Sequence, residues 1–147
     1  MELHIIMFDQ KNIKTRVIVS AIIKNGDKLL FGRKKENVSP YPNTWHLVGG
    51  GIEESEPLEE SIKREIREEA SIEVKIKEAV GFDDDFESNK DGEMTHYIFL
   101  VYDAEYVSGE LKADDDIVAL KWFSKNELPK ELSRASIKLF KKLGYIG

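Results

Sequence analysis

The chain has 147 residues, 34% charged and 41% hydrophobic, with a formal net charge of -6. This length suits a single domain spanning 1–147 that buries most of its apolar surface, and the acidic balance argues against coating a nucleic-acid polymer. With no cysteine, disulfides, thiolate metal sites and a Cys nucleophile are excluded; with no long apolar run and Glu2 early in "MELHIIMFDQ", neither a membrane span nor a signal peptide is expected, so the expectation is a cytoplasmic protein with no membrane partner.

There is no repeat and no low-complexity segment. The apolar N-terminal "LHIIMF" is a candidate edge strand for pairing across a homodimer. "TRVIVSAIIKNGDKLLFGRKK" reads as a β-hairpin: Val17 to Ile23 is one strand, Asn25-Gly26 marks the turn, and Leu29 to Phe31 continue the second strand. "ENVSPYPNTW" is a loop and "TWHLV" a short extended segment. Pro57 suits the first turn of a helix, with Glu59 and Glu60 at its positive end. Leu58, Ile62 and Ile66 recur every fourth residue as the expected buried stripe. "SIEVKIKEAVGF", "GEMTHYIFLVYDAEY" and "IVALKWF" read as strands, and "GFDDDFESNKDGE" as an acidic solvated loop. Ser124 caps a short turn of helix, "KNEL", and "SRASIKLFKKL" is an amphipathic final helix. The order predicts an α/β fold with a mixed sheet between helices.

The chemistry gathers in "GGGIEESEPLEESIKREIREEA", Gly49 to Ala70. At about 100° per residue, Glu65, Glu68 and Glu69 share roughly one third of the helix circumference. Glu69 lies beside the apolar stripe and should be partly buried, so it needs a partner. Carboxylates gathered on one face suit a hard divalent cation such as Mg²⁺. Arg64 offers a planar fork that can hold a neighbouring carboxylate, and the glycines let the backbone approach an ion or phosphate closely. A solvated helix with Glu59–Lys63 and Glu60–Arg64 ion pairs is the plainer alternative. It leaves the glycines, Glu69 and the isolated Glu56 unexplained.

The segment resembles the Nudix box, whose pattern is G, five residues, E, seven residues, R-E-U-x-E-E-x-G-U, with U a bulky aliphatic. Gly50, Glu56, Arg64, Glu65, Ile66, Glu68, Glu69 and Ile72 match, so the box spans 50–72. Ser71 stands where the pattern has Gly, and Val48 where the family more often has Pro. "LLFGRKK", "WHLVGGG" and "LKWFSKNEL" also fall where a Nudix domain has their counterparts. The resemblance implies a Nudix-type α/β/α sandwich and a Mg²⁺-dependent hydrolase, with Mn²⁺ able to substitute, acting on a nucleoside diphosphate linked to another group. It implies Glu65, Glu68 and Glu69 as metal ligands, with a Gly49 or Gly50 carbonyl as a further one. Glu65 or Glu68 would help to deprotonate the attacking water, Arg64 would orient a box glutamate, and Glu56 would brace the loop.

Other candidates lie outside the box. Arg33 and Lys34 follow the strand "KLLFG"; either would hold phosphates, as basic residues here often do in the family, with solvated strand-end charge as the equal alternative. Tyr41 and Trp45 can stack on a base or gate the site, although for Trp45 a core role is the favoured reading. Asp116, then Asp115, would supply one more carboxylate ligand, as family members often draw one from this loop. His96 reads as a satisfied sheet histidine. No proline occurs between Leu58 and Leu128, so the proline typical of ADP-ribose hydrolases is absent. What remains is most similar to the nucleoside triphosphatase, MutT-like branch, with hydrolysis to monophosphate and pyrophosphate. A nucleotide sugar or another diphosphate is the alternative substrate. A non-catalytic nucleotide-binding module is the alternative class, which the intact glutamates disfavour.

Overall fold

The computed structural model describes residues 13–114 and 116–147. The N-terminal stretch "LHIIMF" and Asp115 therefore lie outside the described residues. Strands β1 (Lys14–Asn25) and β2 (Lys28–Lys34) form the expected hairpin, with Asn25 paired to Lys28. The two turn residues are Gly26 and Asp27, one position later than the Asn-Gly signal suggested. Gly26 takes the positive φ of 65°, the glycine-first arrangement of a type II′ turn. "TWHLV" divides at Leu47 into β3 (Trp45–His46) and β4 (Val48–Gly51). Helix α1 (Leu58–Ala70) follows, then β5 (Glu73–Ser88), β6 (Met94–Ser108), β7 (Ile117–Ser124) and helix α2 (Arg134–Lys142).

The sheet is mixed, in the order β3-β2-β1-β6-β5, with β7 on β2 and β4 on β1. β1 runs parallel to β6 from Lys14↔Thr95 to Lys24↔Glu105, and its other edge receives β4 antiparallel, Val19 opposite Gly50. Because strand side chains alternate, β1 feeds two cores. Val19, Ala21 and Ile23 pack with Ile62 and Ile66 of α1. Ile22 packs on the other face with Leu139 and Phe140 of α2. The sheet is thus sandwiched between the two helices, as the sequence predicts. Ile62 and Ile66 are fully buried, each worth about 1.5–3 kcal/mol.

Three elements differ from expectation. Leu58 is exposed, and Ser61 and Ala70 complete the buried face of α1 instead. "KNEL" is a hydrogen-bonded turn closed by Glu127 N–H on the Ser124 carbonyl, not a helix. Most of the acidic "loop" is strand: β5 continues through Ser88, paired with β6 down to Met94. Acidic residues disfavour strands, but here each has a partner. Asp83 is buried and meets Lys138 and Lys142 of α2, both at 2.9 Å. Burial alone would raise its pKa; the two ammonium groups outweigh that and lower it. Asp85 meets Arg134, and Asp84 meets His96 at 2.7 Å.

Ser71 explains its own departure from the box pattern. It ends α1 in the left-handed region, φ 62°, with its N–H bonded to the Arg67 carbonyl. Glycine adopts that conformation without steric cost. Ser71→Gly is expected to stabilise the protein by about 1 kcal/mol, measured by urea unfolding. An unchanged or lower midpoint would mean that the serine side chain compensates.

Candidate active site

The last three residues of β4 are bare backbone because close neighbours leave no room for a Cβ. One on Gly49 would strike the Val19 carbonyl and the Ser20 backbone, one on Gly50 the Glu65 carboxylate, and one on Gly51 the Arg16 guanidinium. β4 therefore brings its backbone against β1 at the first glycine, an acid at the second and a base at the third.

α1 supplies the carboxylates. Glu69 is half-buried and accepts a hydrogen bond from Gly49 N–H at 3.0 Å, which ties the helix to β4. Arg64 organises the rest. Its Nη1 donates to Glu65 Oε1 at 2.8 Å and lies 3.3 Å from Glu68 Oε2, while Nε and Nη2 reach Glu56 at 3.1 Å. Ser61 Oγ donates to Glu56 at 2.6 Å. The Arg64 bonds and then Ser61 hold the Glu56 carboxyl below the usual range, and the Glu56 bond leads in raising the Arg64 pKa. So Glu56 braces the segment before the helix while Arg64 holds two box glutamates. The Glu60–Arg64 pair of the solvated-helix alternative does not form; Glu60 instead lies 4.0 Å from Lys63. Burial pushes the Glu65 pKa up despite Arg64.

Among the described residues no three acidic or imidazole side chains converge on a single point. Arg64 lies between Glu65 and Glu68. The donors present are nevertheless all hard oxygens, and the Gly50 backbone and the Glu65 carboxylate meet in a cradle that a single Cβ would fill. Burial disfavours the charged form of Glu65, a cost that a cation would offset. This donor set fits a hard divalent ion.

A cavity of about 350 Å³ opens beside the glycines. Gly50, Lys34, Tyr41, Glu69 and Asp116 all line it. Lys34 Nζ donates to the Pro40 carbonyl at 2.8 Å; burial lowers its pKa, with Asp116 and Glu69 opposing. Tyr41 donates its hydroxyl to Asp85 at 2.7 Å, and burial followed by that bond raises its pKa, so it remains protonated. Arg33 and Trp45 do not line the cavity. Arg33 binds Asn43 at 2.7 Å and Glu131 at 3.3 Å, and stacks 5.6 Å above Trp45. Trp45 packs edge-on against Phe123.

Two cavity residues escaped sequence reasoning. Arg16 forms no ion pair among the described residues, whereas Arg33, Arg64, Arg67 and Arg134 each hold a carboxylate. His46 presents a buried, unpartnered Nε2. Neither position belongs to a spaced motif. Arg16 reaches the site through the pairing of β1 with β4, and His46 through that of β2 with β3.

Fold and site together define a hydrolase that sets a glycine strand against a helix of glutamates. The NUDIX domain family matches residues 14–143, and the chain belongs to the Nudix hydrolase family. It is 35% identical over 114 residues to an ADP-ribose pyrophosphatase of Methanocaldococcus jannaschii, covering 78% of this chain and 64% of that protein. It thus spans under two thirds of that relative's length. It is 30% identical over 122 residues to the nucleoside triphosphatase NudI of Escherichia coli, covering 79% and 86%. A MutT Nudix hydrolase structure from Burkholderia pseudomallei superposes with a TM-score of 0.70 at 28% identity, covering 88% of this chain and 98% of that one. Among the described residues no helix is long and apolar enough to cross a membrane.

Proposed function

We propose that the protein hydrolyses a nucleoside triphosphate to the monophosphate and pyrophosphate, using Mg²⁺ held by Glu65, Glu68, Glu69 and the Gly50 carbonyl, with Asp116 as a further candidate. The observation that carries this reading is the cavity itself. It joins the glycines, Glu69 and Lys34 to aromatic and apolar walls from Tyr41, Tyr97 and Phe99. The first group suits phosphates and a cation; the second suits a flat base. The 30% identity to a nucleoside triphosphatase supports the same choice.

When bound, Mg²⁺ offsets the pyrophosphate charge and lowers the pKa of a water at the site. The chain's own residues orient the reactants. Arg64 fixes Glu65 and Glu68. Glu65 is the better-placed proton acceptor, because Arg64 engages Oε1 while Oε2 lies against Gly50. Lys34 and Arg16 supply positive charge along the cavity of a protein that is acidic as a whole. Gly51 makes room for Arg16.

ADP-ribose is the second reading, favoured by the 35% identical relative. A panel of nucleoside triphosphates, ADP-ribose and nucleotide sugars, incubated with Mg²⁺ and separated by chromatography, decides between them. Triphosphate turnover that releases pyrophosphate is expected. Exclusive cleavage of ADP-ribose would overturn the first reading. Activity should vanish with excess chelator and return with Mg²⁺ or Mn²⁺; turnover that persists in chelator would rule out the metal role.

A further inference from the structure

Side chains alternate along a strand, so β1 turns Arg16, Ile18 and Ser20 to one face, and all three line the cavity. Burial falls along that row: Ser20 is buried, Ile18 half-buried and Arg16 exposed. The row therefore runs from a closed end to an open one. The closed end is apolar, with Val101 beside Ser20 and Phe99 beside Ile18 across the pairing with β6. The open end carries the Arg16 guanidinium, whose neighbour across the pairing is Tyr97, a phenol and not an acid. The guanidinium rests against Gly51, with Nη2 2.5 Å and Cζ 3.1 Å from where a Cβ would stand. Glu65 rests in the same way against Gly50, the residue before, so β4 holds a carboxylate and a guanidinium on consecutive glycines. The two form no ion pair.

The two cations beside the glycines differ in what already balances them. Lys34 faces Asp116 and Glu69 and donates to the Pro40 carbonyl. Arg16 has no carboxylate and no hydrogen-bond acceptor among the described residues. A merely solvated arginine would need no glycine beneath it. Here a planar fork of five donors is seated at the open end of the cavity with nothing from the chain to receive them. We infer that Arg16 is a specificity-determining residue that holds the terminal phosphate of the substrate, the one farthest from the nucleoside. With the base at the closed end and the bond to be cut beside the glycines and the box glutamates, a triphosphate continues toward the open end, where its last phosphate meets the guanidinium. The inference rests on the triphosphate reading of the cavity. It adds a rule of selection: a free terminal phosphate offers the fork more oxygens and more charge than an esterified one, so substrates capped by a sugar or an alkyl group are disfavoured.

The test compares kcat/KM for the triphosphate turned over best in the panel and for its γ-methyl ester, which differ only at the terminal phosphate. The wild type should prefer the free phosphate by about 10-fold, near the low end for a charged hydrogen bond because Arg16 is exposed. Arg16→Gln should flatten that ratio, and Arg16→Lys, which keeps the charge but not the fork, should retain part of it. Gly51→Ala, whose methyl strikes the guanidinium, should lower the ratio with Arg16 still present. A second readout needs no turnover. By calorimetry with Mg²⁺, Arg16→Gln should bind the uncleavable α,β-methylene triphosphate about 10-fold more weakly than the wild type, and the nucleoside monophosphate equally well. Triphosphate hydrolysis with equal ratios in wild type and Arg16→Gln, or an equal change in affinity for the methylene analogue and the monophosphate, would overturn this inference while leaving the proposed activity standing. A wild type that cleaves ADP-ribose alone would remove both.

Discussion

Glu69→Gln is expected to lower kcat at least about 100-fold at saturating Mg²⁺, roughly 3 kcal/mol of lost transition-state stabilisation, with the metal-free fold intact. The substitution keeps the volume and leaves an amide oxygen to accept the Gly49 N–H, which Glu69 now receives at 3.0 Å. The tie between α1 and β4 should survive. What disappears is one negative charge on the cavity wall beside Lys34. If that charge holds the cation, the loss falls on the chemical step. Relief of repulsion with the other box glutamates should hold the melting temperature of the metal-free protein or raise it slightly. Glu59→Gln, an exposed position in the same helix, is the control and should cost little. The measurements are kcat for both variants and the melting temperature of each without metal. Wild-type turnover by Glu69→Gln would remove Glu69 from the site. Loss of the folded state in Glu69→Gln alone would make its carboxylate a structural tie instead.

The parts of this protein that were legible in its sequence are those fixed by local spacing. The apolar runs of β1 and β7 and the fourth-residue rhythm of Ile62 and Ile66 mark their elements without any partner. The box residues are legible for the same reason, since one continuous stretch of chain, from β4 through α1 to Ile72, carries them all. What was not legible depends on a second segment. Asp83 to Asp85 read as a loop because three carboxylates in a row disfavour a strand; Lys138, Lys142 and Arg134, brought from elsewhere, neutralise Asp83 and Asp85, and His96 hydrogen-bonds Asp84. Leu58 fitted the helical stripe by spacing, yet it lies on the exposed first turn. Arg33 looked available for a ligand, yet it is occupied with Asn43 and Glu131, while Trp45 packs on Phe123 as its favoured core reading expects. Conversely, Arg16 and His46 owe their places to strand register, which no local pattern encodes. Ser71 is an intermediate case: the box pattern marks the position for glycine, and the left-handed φ supplies the reason.

Gly50→Ala is expected to cost about 100-fold in kcat/KM while the protein stays folded, whereas Gly49→Ala is expected to destabilise the fold itself. The two residues are neighbours, and composition alone would treat them alike. They differ in what an added methyl meets. At Gly49 it meets the Val19 carbonyl and the Ser20 backbone, which cannot retreat without opening the pairing of β1 with β4. Overpacking against backbone in a paired strand should cost about 3 kcal/mol or more. At Gly50 the three atoms nearest the methyl all belong to the Glu65 carboxylate, the far end of a flexible side chain. That group can swing aside, but it then leaves the Gly50 backbone and loosens its 2.8 Å bond with Arg64. A displacement of about 1 Å in a catalytic group is enough for a loss on the order of 100-fold. Urea unfolding of both variants without metal, alongside kcat/KM with Mg²⁺, separates the two effects. Full activity in a folded Gly50→Ala would mean that the Glu65 position against β4 is not needed for turnover. Equal destabilisation of both variants would mean that Glu65 is as fixed as the backbone, and that Arg64 and Glu56 hold it there as part of the fold.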